Sequence, residues 1–274
     1  MPALMGASIS DFLLIDNSNS FTKFALSSRV KLGPSRKLRT SEVTEASLKK
    51  TLRGWRWKTA VLSSVVPEKG EVMTRFLGAG GARVVHVNAR ANLGVGVKYP
   101  KPKTIGADRL ANAAAAFAAF GAPVVVVDFG TAVSFDIISG AGDYVGGVIA
   151  PGLEAMTDYL HQRTALLPKI SLLEPPSAIG KSTKHAMLAG AVYGYRGLVR
   201  QILTEIGKEL GIPLNLPVVA TGGYATLIAA GLPEIKTVQD NLTLEGLRII
   251  GILNSTASAS PACGRRPSGS SRGA

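Results

Sequence analysis

The sequence predicts an α/β protein built from two copies of one domain, with sheets covered by helices and a cleft between the halves. Three observations predict it. Strand-like apolar runs alternate with amphipathic or Ala-rich stretches along most of the 274 residues, the grammar of sheets covered by helices. The segments LLIDNSNSFTKFAL at 13–26 and VVVVDFGTAVSFDIIS at 124–139 share one order: apolar strand, aspartate, small polar turn, second strand. They stand about 112 residues apart, close to half the ordered length, as two copies of one unit would.

In chain order, strands are predicted near 12–16, 21–28, 59–65 and 83–87, with amphipathic helices near 42–53 and 68–79. An Ala-rich helix follows at 106–120, then the second hairpin at 124–139 and a strand near 144–149. Helices near 151–163 and 185–210 come next, then a strand at 216–221 and a helix near 223–230. A strand near 235–238 and a helix from 243 complete the pattern. This divides the chain into an N-terminal half at 11–122, a C-terminal half at 123–254 and a disordered basic tail at 255–274.

Hydrophobic residues make up 46% of the chain and charged residues 18%, an ordinary globular composition that excludes a disordered one. The net charge is +13, of which Arg265, Arg266 and Arg272 supply three in a Ser/Gly/Pro/Ala tail without acids. The remaining +10, including Lys98, Lys101 and Lys103, favours anionic ligands. No basic stripe is interleaved with aromatics, so specific nucleic-acid recognition is not expected. Cys263 is the single cysteine, which excludes an internal disulfide and a Cys-based zinc site and fits the cytoplasm. The start lacks a basic n-region, so no secretory signal is expected. Residues 110–127 run uncharged for the length of a membrane span, but Gly121-Ala122-Pro123 breaks them into a helix and a strand.

Candidate chemistry gathers at strand ends. Asp128 closes a four-valine strand, and Phe129-Gly130-Thr131 offers a tight turn with a hydroxyl donor. An aspartate repels phosphate, so it would hold a cation or water beside one; alternatively, it bonds to its own turn amides. Thr221-Gly222-Gly223 joins a buried strand to a helix, a turn that admits an anion against the backbone. In YPKPKTIGADRLANAAAAF at 99–117, Asp108 either serves the helix dipole or accepts a hydroxyl proton, with Arg109 forking onto a carboxylate. Gly180-Lys181-Ser182-Thr183 is no P-loop, because Pro175 stands where its first glycine belongs. Gly78, Gly80 and Gly81 fail the dinucleotide pattern at Arg83. His86, His161 and His185 lack ligand spacing, which argues against a metal triad and for surface or supporting roles.

Together these motifs resemble the type III pantothenate kinases of the actin-like, sugar-kinase-like ATPase superfamily, over roughly residues 11 to 254. The family's Asp-x-Gly-Asn-Thr-x-x-Lys is matched by DNSNSFTK at 16–23. Its Tyr-x-x-Pro-x-x-x-Gly-Ala-Asp-Arg loop is matched by Tyr99, Pro102 and Gly106 to Arg109, and Asp-x-Gly-Thr-Ala by Asp128 to Ala132. Gly146-Gly147, Pro151-Gly152, the turn at Gly180 to Thr183, and Thr221-Gly222-Gly223 also agree.

The resemblance implies duplicated ribonuclease-H-like halves with mixed sheets and ATP-dependent phosphorylation of pantothenate to 4′-phosphopantothenate, the opening step of coenzyme A synthesis. It implies Asp108 as general base, with Tyr99, Gly106, Ala107 and Arg109 on pantothenate and Thr183 reaching it from the other half of a homodimer. ATP would lie on Asp16, Asn17, Ser18, Asn19, Ser20, Phe21, Thr22 and Lys23, together with Thr131 and Gly222. Asp128 would hold a monovalent cation, K+ or NH4+, and Mg2+ would arrive with the nucleotide. Ser18 replaces the family's glycine and Ser20 its threonine; the added Cβ at 18 predicts a weaker ATP site. The competing readings are a transcriptional accessory factor of the same fold and a kinase of another small hydroxy acid or a sugar.

Overall fold

A computed structural model describes residues 9–212 and 216–255; Cys263 and nearly all of the expected tail lie outside them. Two sheets carry the fold. The first contains β1 (Ser10–Asn17), β2 (Phe21–Ser27), β3 (Leu32–Arg39), β4 (Trp57–Ser64) and β5 (Arg83–His86), in the order β3-β2-β1-β4-β5. The second contains β6 (Gly96–Val97), β7 (Val124–Phe129), β8 (Ala132–Ile138), β9 (Asp143–Pro151), β10 (Val218–Thr221) and β11 (Thr237–Val238), in the order β11-β10-β7-β8-β9-β6. Leaving out β6, the second order repeats the first strand for strand. In each sheet an antiparallel three-strand meander lies beside two parallel strands. The echo between the two hairpins therefore extends to whole sheets.

The helices are α1 (Glu45–Thr51), α2 (Pro67–Ala79), α3 (Ala107–Phe120), α4 (Leu153–Arg163), α5 (Thr183–Glu209), α6 (Ala225–Ala229) and α7 (Leu242–Ser255). Strand periodicity sorts the core. Leu13, Ile15, Phe24 and Leu62 pack toward Leu48, Met73 and Leu77 on one face of the first sheet. Leu14 and Val61 pack toward Leu110, Ala111, Leu247 and Ile250 on the other. In the second sheet Val125, Val127 and Phe135 meet Val192, Tyr195 and Val199 of α5, while Val124 and Val126 meet Ala113, Ala116 and Leu242. The helix α3 thus packs on both sheets. That position explains its alanines: small side chains let one helix be buried on two sides. Gly246 of α7 serves the same end, since a Cβ there would collide with the Ala111 carbonyl. Among the described residues no helix is long and apolar enough to cross a membrane.

Two segments cross the sequence boundary at 122/123. The short β6 pairs with β9 of the second sheet, and α7 packs against β1 and β4 of the first. The strand β3, LGPSRKLR, is absent from the sequence-based reading. It is an exposed edge strand whose proline and charges lack an apolar alternation, and such residues are what protect an edge from further pairing.

Candidate active site

The same alternation decides which polar side chains meet α3. Asp16 follows Leu14 on the α3 face of β1 and pairs in register with Lys23 of β2 and Ser63 of β4. Asp128 follows Val126 on the α3 face of β7 and pairs with Ser134 and Thr221. From α3 itself comes Asp108, whose charge bears on Asp16, Asp128 and Asp136 alike. Burial pushes all of these carboxyls upward: Asp16 to about 6, Asp108 and Asp128 by directions of the same sign. Lys23 pulls against this at both Asp16 and Asp128, so it stands in the same cleft.

The two hairpin turns face each other. Ser20 and Thr131 place their hydroxyl oxygens 3.1 Å apart across 111 residues of chain. Both are exposed, as is Asn19, so the turn tips are open to solvent. The glycine-free first turn closes through the Ser18 amide, which donates to the Phe21 carbonyl at 3.1 Å. Thr40 braces it from behind: its hydroxyl donates to the Ser18 carbonyl at 2.6 Å, and its amide to the Ser20 carbonyl at 3.0 Å. Ser18 directs its hydroxyl to Asp16 Oδ1 at 3.1 Å, partly offsetting the effect of burial there.

Not every residue of the 16–23 motif points into the cleft. Asn17 and Thr22 alternate to the opposite face, where both are fully buried. Asn17 Nδ2 donates to Thr22 Oγ1 at 2.8 Å and Ser64 Oγ to Asn17 Oδ1 at 2.8 Å, with Thr40 Oγ1 completing the set. Phe21 lies beneath Lys37 Nζ at 3.6 Å.

Around Asp128 the space is made by glycine. Gly222 has φ 95°, and a Cβ there would lie 2.7 Å from Asp128 Oδ1 and from the Phe129 backbone. Asn112, one turn beyond Asp108 on α3, donates to Asp128 Oδ2 at 3.1 Å and accepts from Thr243 of α7 at 2.8 Å. At the start of α3, Asp108 Oδ1 accepts the Arg109 amide at 2.8 Å, so its helix-terminus role and its place in the cleft coexist. Gly106 leaves room for that carboxylate; a Cβ there would lie 2.5 Å from it. Ala107, next along, is buried in the core rather than open to the cleft.

Arg109 reaches the second sheet, donating from Nε to Asp136 Oδ1 at 2.6 Å and from Nη2 to the Phe135 carbonyl at 3.1 Å. Tyr144 donates to the same Asp136 oxygen at 3.3 Å, and Tyr99 meets Tyr144 edge-on at 6.2 Å. Tyr99 also lies against Gly146. Thr183 is exposed at the first position of α5, behind the capping Ser182. The three histidines are exposed, and His161 meets the Leu167 carbonyl at 2.9 Å. Among the described residues no group of three His, Cys, Asp or Glu side chains could hold a metal ion by itself.

Asn112, Asp136 and Thr40 are the polar residues of this region that motif reading passed over. Asn112 had a signal, its four-residue spacing from Asp108 on one helix face. Asp136 had another, a charge inside the apolar run SFDII. Thr40 had none.

A family model described as type III pantothenate kinase matches residues 12–205. A type III pantothenate kinase of Akkermansia muciniphila is 51% identical over 245 residues, 89% of this chain and 99% of that one. Among solved structures, a conserved Campylobacter jejuni protein named for the Baf family of transcriptional activators superposes with a TM-score of 0.57 at 18% identity, covering 89% of this chain and 98% of its own. MreB 5 of Spiroplasma citri, solved with AMPPNP, gives a TM-score of 0.50 at 13% identity, covering 91% and 98%. At such identities these two structures speak for the actin-like fold alone.

Proposed function

The chain belongs to the type III pantothenate kinase family, and on that premise we infer that it transfers the γ-phosphoryl group of ATP to pantothenate, opening coenzyme A synthesis. The observation that carries this reading is the pair of facing turns: Ser20 against Thr131, each beyond a strand that presents an aspartate to α3, Asp16 buried and Asp128 half-buried. Two facing turns of hydroxyls and amides suit a polyphosphate, and phosphoryl transfer needs alignment, charge neutralisation and one base more than covalent chemistry. Family membership favours pantothenate over another small hydroxy acid or a sugar, and over a non-catalytic role in transcription.

The roles assigned within that reaction are these. Lys23, Asn19, Ser20 and Thr131 hold the phosphates, and Gly222 lets the nucleotide approach the backbone. Asn17 and Thr22 hold the first turn in shape from behind. Asp108 accepts the proton of the attacking hydroxyl, and its raised proton affinity suits a base working nearer neutrality than an ordinary aspartate. Arg109 keeps Nη1 clear of its bonds to Asp136 and Phe135, which suits the carboxylate of pantothenate, with Tyr99 beside it. The clustered carboxylates fit cations: Asp16 is buried and Asp128 half-buried, and Lys23 is the cation that bears on both. A Mg2+ carried by the nucleotide and a K+ or NH4+ at Asp128 would supply charge neutralisation.

We take each sheet as the centre of one of the two halves expected at 11–122 and 123–254, with β6 and α7 crossing that boundary, and assign the cleft between them. A homodimer is supported by apolar side chains left exposed on and near α4 and α5, among them Tyr159 at 61%, Leu166 at 89% and Ile179 at 79%. Thr183 lies at the start of α5, where a partner subunit could receive it. The cytoplasm, where ATP and pantothenate meet, is the compartment we assign. The test is ADP release by purified protein with ATP, Mg2+ and K+. Turnover that depends on pantothenate is expected; none with pantothenate but turnover with a sugar or another hydroxy acid would overturn the reading.

A further inference from the structure

We propose that Asp136 is a positioning residue that sets substrate choice, by holding the Arg109 guanidinium in the one orientation that receives a carboxylate. This rests on the reading of Arg109 as the group that meets the pantothenate carboxylate. Asp136 is fully buried in the middle of β8, and its Oδ1 accepts Arg109 Nε at 2.6 Å and the Tyr144 hydroxyl at 3.3 Å. Its other oxygen, Oδ2, is buried with no hydrogen-bond partner.

A charge placed so is costly. Burial drives the Asp136 carboxyl up toward 7 against the pull of Arg109. A buried ion pair seldom adds net stability over apolar side chains of the same volume, so its worth here lies in geometry. The Nε and Nη2 edge of Arg109 is bound to Asp136 and to the Phe135 carbonyl, which leaves Nη1 outside both bonds. Tyr144 closes one side, its ring 5.8 Å from the guanidinium carbon, and Tyr99 packs against Tyr144. Gly147 packs against the bonded end, since any Cβ there would strike Nη2 and the Phe135 carbonyl. The guanidinium is held by Asp136, the Phe135 carbonyl and the Tyr144 ring before substrate arrives, and a fork already oriented loses less freedom on binding.

The experiment compares pantothenate with pantothenyl alcohol, in which an uncharged CH2OH replaces the carboxylate. For the parent enzyme the KM for the acid should lie well below that for the alcohol, and Arg109→Gln should erase that preference. Asp136→Asn should raise the KM for pantothenate at least about tenfold, leave the alcohol KM and both kcat values within about threefold, and retain a cooperative thermal transition. Tyr144→Phe, which removes the second bond to Oδ1, should cut the preference about two- to threefold and is the deciding variant if Asp136→Asn does not fold. A folded Asp136→Asn with the parent's preference, or an unmoved Tyr144→Phe where it decides, overturns the proposal while Arg109 keeps its role. A parent without preference, or one that Arg109→Gln does not change, removes the Arg109 reading and this proposal with it.

Discussion

The two hairpins share a topology and solve the same packing problem by different means. In the second, the residue after the strand paired with Asp128 is Gly222, at φ 95° and with no room for a Cβ. The corresponding residue of the first is Ser64, following Ser63 opposite Asp16, and its hydroxyl donates to Asn17. One half makes space beside its carboxylate with glycine; the other backs its turn, on the opposite face of the sheet, with a hydrogen-bonded set of Asn17, Thr22, Thr40 and Ser64. Duplication preserved strand order and the aspartate at the strand end, while the support behind each aspartate diverged.

The largest effect belongs to the residue both hairpins surround. Asp108→Asn should lower kcat by about 10²–10⁴ and move the KM for pantothenate less than about threefold, read from steady-state kinetics. An unchanged kcat would leave Asp108 only its bond to the Arg109 amide. Swapping the supports comes next. Gly222→Ser should destabilise the fold by about 2–4 kcal/mol, from strained φ and overlap with the Phe129 backbone. The mirror change, Ser64→Gly, should cost about 1–2 kcal/mol, from one lost hydrogen bond and added backbone freedom. Equal losses in urea titrations would erase the distinction between the two halves.

An effect of similar size, dependent on pH, tests the burial of Asp16. Its carboxyl is raised from 3.8 to about 6, so folding favours the protonated form. That contribution is present below the unfolded value and is lost as pH rises through about 6, which leaves the ionised group a net cost near neutrality. Asp16→Asn should therefore stabilise the ligand-free protein by about 1–3 kcal/mol at pH 7, with the gain vanishing near pH 4. A Tm that rises equally at both values would deny the electrostatic origin. The smallest effect is expected at Ser18→Gly. The turn closes through the backbone of residue 18 and through Thr40, so the KM for ATP should move by less than about threefold. A tenfold fall would show that the Cβ at 18 obstructs phosphate, as the comparison of motifs implied.

What was legible in the sequence followed from local rules. An apolar run ending in aspartate marks a strand end, but the motif placed Asn17 and Thr22 with Asp16 and Lys23 on ATP, and the period of the strand carries them to the other face. A Gly-Ala-Asp-Arg step into an Ala-rich run marks the start of a buried helix. The spacing of the two hairpins announced two sheets. The edge strand β3 was missed because charges and a proline, the residues that protect an edge, are also those of a loop.

By itself, then, the sequence determined the elements other than β3, the repeated hairpin and the residues of the family motifs, because each of these depends on neighbours a few positions apart. Only the tertiary structure decided that α3 packs on both sheets, that Thr40 braces a turn 20 residues away, and that Asn112 and Asp136 orient Asp128 and Arg109. Those contacts join segments distant along the chain, and no local pattern encodes which buried donor meets which buried acceptor.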